Sequence, residues 1–523
     1  MRKALVLLLA LLVLGSAGTA YAVRSVAAAE TALAYSMREE RGNVSAAEGI
    51  GLTLRSGLSN RLLWESRVDF TESGMTAQTE SRFLPETLRE VYEGNENGVM
   101  LLDGWYYVVD GWNAAEDDNT FISAGLRARI KAAEAAMEPG STVHLSIPLA
   151  EYFDDYPLDV QIELGGRIYT WHPDMGYGEA WEETDERNQE ARAVLRLRDF
   201  FKIPVAEDDV LGLDLIKNYD GTVYLDAYGR SETEDGDSFS FMTECAISEK
   251  ACYFWFDDHT VNGRIVDTSR IPGGYGIYML PYGETEHGCD VFEDELTNFY
   301  PLAPETEILY LELGVGEQEL LLHTVENGRY IITVIDADSA ETIQRIDLTA
   351  YDREECWAIR RAGDIFRMVT MRRERSEEGA DGWVTEILGG GMYLLTRQPD
   401  GSYQTYLSLE LRGDELDPEF ALWENWRNVD FRFDGERLVI AGSNMLRLEA
   451  ETAEWTEHGW YTMRDTGCGF YLCVYTPEGL QYYGVYDCSL NGANLYDGNY
   501  YGTNPRPVNE SAERPALEIR LDA

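Results

Sequence analysis

The stretch Ile308–Leu348, ILYLELGVGEQELLLHTVENGRYIITVIDADSAETIQRIDL, predicts four short β-strands separated by turns. The predicted strands are Ile308–Leu313, Glu319–Thr324, Arg329–Ile335 and Thr342–Leu348. Glycine, asparagine and aspartate fill the segments between them, as turns require. The third strand is apolar on both faces and needs burial on both, whereas the fourth carries Gln344, Arg345 and Asp347 and tolerates water. The stretch therefore predicts a small antiparallel sheet of four consecutive strands.

Two later stretches repeat this pattern. One covers 356–411 and has an Asp400-Gly401 turn, and the other covers 429–488 and has an Asp434-Gly435 turn. The starts at 308, 356 and 429 lie 48 and 73 residues apart, so the repeat is clear in pattern and loose in period. An insertion over Gly442–Gly469 accounts for the longer third unit. Each unit is too small to cover its own apolar faces, so we expect the units to stack.

This pattern resembles a divergent bacterial cell-envelope β-propeller, most clearly over 308–488 and more weakly over 143–300. The resemblance implies an all-β fold, namely a β-propeller of about six to eight four-stranded blades with helical insertions. The WD dipeptide of WD40 repeats and the sialidase box are missing, so no specific family, subfamily or substrate follows. The strand Leu517–Leu521 is expected to pair with Gly49–Leu54 and close the ring. The alternative fold is an N-terminal α+β domain over about 48–200 followed by a smaller propeller or sandwich.

Before residue 300 the sequence predicts hairpins and two helices. The hairpins join 49–54 to 61–70, 100–103 to 105–110, and 160–164 to 167–171. The helices cover Ser123–Met137 and Thr184–Arg198, where apolar residues recur every three to four positions. Two glycine-rich segments, Ile271–Gly276 and Gly389–Gly391, are predicted to be turns, the first of which permits close strand packing.

The N-terminus has the parts of a secretory signal. Met1-Arg2-Lys3 precedes the apolar run Ala4–Leu14, and Ala20-Tyr21-Ala22 is a small-x-small cleavage site. An uncleaved anchor is the alternative, because Ala4–Val23 is an uncharged run of 20 residues, which can span a bilayer. We therefore divide the chain into a signal peptide or membrane anchor (1–22), a stalk or linker (23–47) with a helix over Val26–Arg41, and the propeller (48–523). Both alternatives place the rest outside the cytoplasm, either secreted or held at the cytoplasmic membrane by a single pass.

The chain is strongly acidic. Its 523 residues include 43 basic and 94 acidic side chains, for a formal net charge of −51. A field of this sign repels phosphate backbones and argues against nucleic-acid binding. Two explanations remain open: attraction of cations, basic peptides or wall-associated metal ions, and simple solubility, which the even scatter of the acids favours.

The sequence assigns no catalytic, cofactor-binding or metal residues. Asp257-Asp258-His259 is interpreted as a hairpin turn, and His323 as a packed side chain. Asp336-x-Asp338 and Glu232–Asp237 resemble calcium loops without the full ligand spacing, so a weak Ca²⁺ site is the one cofactor expectation. Of the seven cysteines, Cys473 is interpreted as a core side chain. Its spacing from Cys468 also permits a disulfide between the two. Tyr496, Tyr500 and Tyr501 lie in a polar tail that could grip a sugar or peptide, or simply lead to the last strand.

The predicted function is an exported, non-enzymatic binding module of the cell envelope that recognises a protein, peptide or glycan. The alternative is a secreted glycoside hydrolase-like enzyme with carboxylates in the central depression, since such pairs follow no spacing rule. A third hypothesis, a sensory or maturation module of an envelope complex, requires a retained N-terminal anchor. The sequence predicts no oligomeric state.

Overall fold

The computed structural model describes residues 16 and 18 and a series of longer ranges, and every structural statement below concerns these residues. The ranges are 33–58, 62–83, 98–103, 112, 122–164, 167–171, 185–207, 209–230, 243–256, 260–261, 264–285, 288–352, 356–376, 384–416, 428–447, 465–490, 506–507 and 515–521. The chain divides into two compact units. Unit 1 comprises Met1–Glu93 and Arg353–Ala523, and unit 2 comprises Gly94–Asp352.

The fold is mostly β, built from small antiparallel sheets. The first strands are β1 Leu33–Gly42, β2 Ile50–Leu58, β3 Leu62–Thr71, β4 Gly74–Phe83, β5 Gly98–Asp103, β6 Thr142–Pro148, β7 Leu158–Leu164, β8 Arg167–Trp171, β9 Val210–Lys217, β10 Val223–Arg230, β11 Thr243–Ile247, β12 Ala251–Phe256, β13 Thr260–Val261, β14 Arg264–Ile265, β15 Gly276–Thr285, β16 Gly288–Val291 and β17 Thr297–Pro301. The remaining strands are β18 Glu307–Leu313, β19 Glu319–Glu326, β20 Arg329–Asp336, β21 Thr342–Ala350, β22 Cys356–Ala362, β23 Ile365–Ser376, β24 Val384–Arg397, β25 Tyr403–Arg412, β26 Asn428–Phe433, β27 Leu438–Arg447, β28 Asp465–Thr476, β29 Gly479–Leu490, β30 Arg506–Pro507 and β31 Leu517–Leu521. The all-β prediction is confirmed.

Two α-helices lie in the described part of the chain, both where the sequence predicts them. Helix α1 is Ala124–Ala136 and helix α2 is Asp185–Phe200. Ser123 caps α1, because its side-chain oxygen accepts a hydrogen bond from the Leu126 amide at 3.1 Å. Residues of both helices join one large apolar core of unit 2 together with strands β5, β7, β9 and β12.

The described residues of unit 1 form three sheets. Sheet A has the order β1-β29-β28-β27-β26, and sheet C has the order β22-β23-β24-β25. Sheet B has the order β2-β3-β4, and β30 and β31 both pair with the free edge of β2. Apolar residues of sheets A and B form one core, which includes Leu52, Phe470 and Ile519. Each such buried side chain contributes about 1.5–3 kcal/mol, so this core holds both ends of the described chain in place.

The last strand is bound on two sides. It pairs with β2, as the sequence predicts, and the structure places Leu54 opposite Leu517 and Ile50 opposite Leu521. In addition, the amide of Ile519 donates to the Asp430 carboxylate of β26 at 2.9 Å. Burial raises the pKa of Asp430 above its ordinary value, while that backbone hydrogen bond and Arg432 oppose the shift. The C-terminal strand thus connects sheet B to sheet A.

Unit 2 contains the four-stranded sheet predicted from Ile308–Leu348. Sheet D has the order β18-β19-β20-β21, all antiparallel. Its central hairpin closes at Asn327 and Gly328, which both adopt positive φ, 51° and 71°, as a two-residue hairpin turn of this kind requires. Sheet E has the order β11-β12-β15-β16, and β17 also pairs with β15. Sheets D and E share an apolar core that includes Trp255, Ile277 and Leu322.

Two three-stranded sheets and a short ribbon are also formed by the described residues of unit 2. Their orders are β5-β7-β8, β10-β9-β6 and β13-β14. The predicted hairpin of β7 and β8 is confirmed. In contrast, β5 pairs with β7, and the segment 105–110 that was predicted to pair with it lies outside the described residues. The strands of 50–83 belong to unit 1 and both helices to unit 2, so the alternative of one α+β domain over about 48–200 is wrong.

The helix predicted over Val26–Arg41 is wrong from Leu33 onward, because Leu33–Gly42 forms strand β1. This strand pairs along its whole length with β29, from Leu33 opposite Leu490 to Gly42 opposite Tyr482. The Tyr35 ring packs edge-on against Phe470 at 5.5 Å. A short isolated helix is marginal in water, so these contacts outweigh the helix propensity of the alanine- and glutamate-rich segment. The end of the predicted stalk, 33–47, is therefore part of unit 1.

The turn predicted at Gly389–Gly391 is also wrong, because these glycines lie inside strand β24. Here β24 comes so close to β23 that a Cβ on Gly390 would lie 1.8 Å from the Thr370 carbonyl oxygen. A register shift between Arg372 and Arg373 marks a bulge at the same place. The glycines permit this close approach, and they do not end the strand.

The turn at Ile271–Gly276 does occur, and it permits the close packing predicted from its glycines. Gly273 and Gly274 have φ of 82° and 73°, and the Asn298 side-chain amide donates to both of their carbonyl oxygens at 2.9 Å. A Cβ on Gly276 would lie 2.3 Å from the Tyr300 carbonyl oxygen of β17. The prediction for Cys473 is likewise confirmed, since its side chain is fully buried in β28.

The predicted signal or anchor, 1–22, lies outside the described residues except for 16 and 18. Among the residues that the structure describes, no helix has the length and apolar character needed to cross a membrane.

Candidate functional site

Three connecting turns of sheets D and E meet at one end of unit 2 and carry a group of carboxylates. We call this region the acidic turn surface and define it by Glu249, Glu317, Asp336, Asp338 and Glu341. Hydrogen bonds from backbone amides hold the turns together: the Glu249 amide donates to the Glu317 carboxylate at 2.7 Å, and the Ala337 amide donates to the Gln318 carbonyl at 3.0 Å. The surface is therefore an ordered assembly of turns.

Asp336 organises the turn that follows β20. Its Oδ1 atom accepts hydrogen bonds from the Asp338 amide at 3.1 Å, the Ser339 amide at 2.7 Å and the Ser339 hydroxyl at 2.8 Å. These bonds favour the ionised form, so the pKa of Asp336 lies below its ordinary value, with the Ser339 amide as the largest cause. The carboxylate stays negative near neutral pH and fixes the turn that presents Asp338 and Glu341 to solvent.

Two residues of the same surface have an uncommon backbone conformation. Glu317 and Ala340 adopt φ of 57° and 60°, in the left-handed region that side chains other than glycine seldom occupy. Such a conformation costs on the order of 1 kcal/mol per residue and persists only where the surroundings enforce it. Here the surrounding turn hydrogen bonds do so, and they place the Glu317 carboxylate beside the β11–β12 turn.

Tyr253 lies beneath the acidic turn surface and responds to its charge. Its hydroxyl donates to the Ala337 carbonyl at 2.9 Å. Burial, and then the negative charges of Asp338, Glu317 and Asp336, raise the pKa of Tyr253 to about 12. The same field that disfavours a tyrosinate attracts a cation from solution.

The sequence expectation of a weak Ca²⁺ site included Asp336 and Asp338. Within the described ranges, no three or more histidine, cysteine, aspartate or glutamate side chains converge as metal ligands. One oxygen of Asp336 is already used by the turn, and the second calcium-like segment, Glu232–Asp237, lies outside the described residues. The calcium site stays a prediction.

Unit 1 contains a small cleft where both described ends of the chain meet. It measures about 230 Å³ including its open mouth and has room inside for about one water molecule. Its lining residues are Tyr35, Leu54, Arg55, Ser56, Ser443, Gly469, Cys488 and Ala516. The volume is below the range of roughly 300–1,000 Å³ that small-molecule sites occupy, so the cleft suits a bound water better than a substrate.

Arg55 is the charged residue of this cleft, and its guanidinium is almost fully buried. It contacts the Glu65 carboxylate at 3.1 Å, donates to the Pro515 carbonyl at 2.7 Å and lies 3.8 Å from the Glu518 carboxylate. Removing either carboxylate would leave the buried guanidinium with fewer ionic contacts and destabilise this part of unit 1. Arg55 therefore ties the C-terminal strand to β2, and the sequence gives no sign of this role because Pro515 and Glu518 are more than 400 residues away.

His323 is fully buried in sheet D, as the sequence interpretation predicts. Its Nδ1 atom is 3.0 Å from the Tyr330 hydroxyl, and its Nε2 atom is 4.0 Å from the Glu312 carboxylate. Burial lowers the pKa of His323 to about 3. The ring is therefore neutral at physiological pH and serves as a packed, hydrogen-bonded side chain.

The other residues singled out in the sequence fall outside the described part of the chain. These are the cluster Asp257-Asp258-His259 and the aromatic tail residues Tyr496, Tyr500 and Tyr501. The acidic turn surface joins residues from three turns that are up to 92 positions apart, and single-turn patterns do not reveal such a grouping.

Comparisons with known proteins identify no family. No protein-family model matches the chain, and no curated protein matches its sequence. Among solved structures, a candidate 6-phosphogluconolactonase of Bacteroides fragilis matches at 8% identity over 90% of this chain and 98% of its own, with a TM-score of 0.25. A protein from Lactobacillus plantarum matches at 9% identity over 80% and 95%, with a TM-score of 0.23. TolB from Acinetobacter baumannii matches at 10% identity over 70% and 80%, with a TM-score of 0.17. Scores this low do not establish a shared fold, so the architecture is argued from strand pairing.

Proposed function

We propose that the protein is an exported β-propeller of the cell envelope that binds a basic segment of a protein or peptide and catalyses no reaction on it. The small sheets act as blades, about six to eight in number, and their connecting turns form the binding face. Sheets C and D support this architecture, because each consists of four consecutive antiparallel strands. The pairing of β31 with β2 supports a closed ring, because strands from distant parts of the chain complete one sheet.

The observation that carries the binding proposal is the acidic turn surface. Its carboxylates are presented on turns that hydrogen bonds already order, so little conformational entropy is lost when a partner binds. The chain as a whole has a net charge of −51, which steers basic partners toward it and repels acidic ones. A lysine- or arginine-rich segment is the peptide chemistry that complements this surface.

The test measures binding of two synthetic peptides of equal length, one lysine-rich and one glutamate-rich, by calorimetry at low and high salt. We expect the purified protein to bind the lysine-rich peptide more tightly and to lose affinity as salt rises, because exposed charges are screened. The double variant Asp338→Asn/Glu341→Gln should weaken binding about three- to tenfold, as removal of two surface charge pairs predicts. Glu317 is left intact because its carboxylate holds the β11–β12 turn. Asp336 is left intact because it holds the turn.

The matched control is Glu72→Gln/Glu80→Gln, which removes the same charge from exposed positions in unit 1. Equal weakening by both double variants would show a general charge effect and would refute a binding site on the acidic turn surface. The protein should also be incubated with a panel of glycans. Release of a product would refute the non-enzymatic proposal and support the glycoside hydrolase alternative.

A further inference from the structure

Two cysteines of sheet E form a pair that the sequence does not reveal. Cys245 lies in β11 and Cys252 lies in β12, the two strands of one hairpin. In their register Cys245 is opposite Phe254 and Ile247 is opposite Cys252, so the two cysteines are diagonal neighbours on the same face of the sheet. Both are free thiols.

The two sulfur atoms approach the same glycine of β5. A Cβ on Gly98 would lie 2.9 Å from the Cys245 sulfur and 3.2 Å from the Cys252 sulfur. The Cys245 thiol donates to the Val99 carbonyl at 3.1 Å, so its sulfur is held on the side of β11 that faces β5. The absence of a side chain on Gly98 thus leaves space in which both sulfur atoms fit together.

The environments of the two thiols differ. Cys252 is fully buried in the apolar core of unit 2, whereas Cys245 is partly exposed at its edge. Burial, and then the neighbouring Cys245 thiol, raise the pKa of the Cys252 thiol well above its ordinary value. A reagent in solution therefore reaches Cys245 first, and Cys252 is positioned to react only with Cys245.

We propose that Cys245 and Cys252 are a dithiol that closes to a disulfide when the folded protein meets a small-molecule disulfide or a thiol–disulfide oxidoreductase. The crosslink joins β11 to β12 in the exported protein. This proposal concerns unit 2 alone and does not depend on the binding partner.

The chemistry is a pair of thiol–disulfide exchanges. The Cys245 thiol loses its proton, and its sulfur attacks one sulfur of the oxidant disulfide, which releases one thiolate and leaves a mixed disulfide on Cys245. The Cys252 thiol then loses its proton, and its sulfur attacks the Cys245 sulfur and releases the second thiolate. The two protons end on the two released thiols, so one oxidant disulfide is reduced to two thiols and the protein dithiol is oxidised to one disulfide.

The experiment uses oxidised glutathione as the oxidant and the full chain as the protein. After incubation, remaining thiols are alkylated under denaturing conditions, and the protein is digested with trypsin without reduction. Lys250 separates the two cysteines, so Cys245 and Cys252 fall in different tryptic peptides. We expect a crosslinked pair of these peptides that separates on reduction, while the buried Cys473 is recovered in alkylated form.

Two variants test the order of attack. In Cys252→Ser, Cys245 should retain glutathione as a mixed disulfide, because no second thiol is there to displace it. In Cys245→Ser, Cys252 should remain free of glutathione because it is buried. Cys488→Ser is the matched control and should form the crosslink like the unaltered protein. Recovery of Cys245 and Cys252 as alkylated thiols after oxidation, or a crosslink from Cys245 to any other cysteine, would overturn the proposal.

Discussion

Sheet D and sheet A are both built from antiparallel strands, but they draw on the chain in different ways. Sheet D consists of four consecutive strands within Glu307–Ala350. Sheet A takes β26–β29 from one end of the chain and adds β1 from the other, so that Leu33 lies opposite Leu490. Sheet B is completed in the same way when β31 joins β2. Local sequence determines the first kind of sheet, whereas the second depends on contacts between distant segments.

The largest expected effect comes from weakening the strand that completes sheet B. Leu517 and Ile519 are buried in the core that sheets A and B share. Leu517→Ala combined with Ile519→Ala should lower the free energy of unfolding of unit 1 by roughly 5 kcal/mol, because each truncation leaves a cavity. Hydrogen exchange should show lost protection in β2 and β26 while β19 and β20 keep theirs.

The control for this prediction is Ile343→Ala in β21, the edge strand of sheet D, where the side chain is half exposed. It should change the free energy of unfolding by less than about 0.5 kcal/mol. If the double variant reduced protection equally in sheet D, the contrast between locally built and terminally completed sheets would be lost.

Lowering the pH is expected to reduce the free energy of unfolding by a smaller amount, through a residue of sheet D. In the unfolded chain, His323 becomes protonated below about pH 6.5. In the folded protein, its ring stays neutral until the pH falls to about 3. The unfolded state then binds more protons, so the free energy of unfolding falls as pH is lowered, by about 1.4 kcal/mol per pH unit. At pH 4.5 the loss is roughly 3 kcal/mol. Chemical denaturation across this pH range should show it.

His323→Gln should remove this part of the pH dependence, because glutamine does not titrate. His144 offers the comparison, since it is exposed on β6 and its Nδ1 atom lies 2.6 Å from the Asp214 carboxylate of β9. His144→Gln controls for the loss of a histidine at an exposed position. Identical slopes for the unaltered protein and His323→Gln would contradict the buried, neutral state assigned to His323.

The smallest of the three effects concerns sheet C, which is also built from consecutive strands. Gly390→Ala places a Cβ against the Thr370 carbonyl and should cost about 1–3 kcal/mol through backbone displacement. Gly283→Ala in β15 is the control, because the nearest atom to its Cβ would be 3.5 Å away on Phe292. Thermal melting of both variants measures the difference. If Gly390→Ala left the melting temperature unchanged, that result would instead fit the turn predicted from the sequence.

The strands of sheet D were predictable because local chemistry specifies them. Asn327 and Gly328 favour the positive φ that a tight hairpin needs, and alternating apolar residues set the strand faces. Sheet C was predictable for the same reason apart from its three glycines, which indicate a turn in sequence and permit close strand contact in the structure. Local pattern does not distinguish these two uses of glycine.

The terminal strands and the sites were less accessible to sequence reasoning. The segment at Leu33–Gly42 has helical composition, and only its pairing with β29 makes it a strand. The short strand Leu517–Leu521 was paired correctly because a second, early strand needed a partner at its edge. Arg55, the acidic turn surface and the Cys245–Cys252 pair each depend on residues brought together by folding, and no spacing rule anticipates them.

The pairing of β31 with β2 also constrains the order in which the molecule can be made. Ile519 lies opposite Leu52, and a ribosome adds roughly 5–20 residues per second, so β2 waits on the order of tens of seconds for its partner to be synthesised. Until then, the apolar face of a nascent sheet and one row of its amide groups are open to misassociation. Contacts between such remote segments also slow the final folding step. Completion of sheet B is thus late relative to the synthesis of β2, and the face that β31 covers stays exposed over that interval.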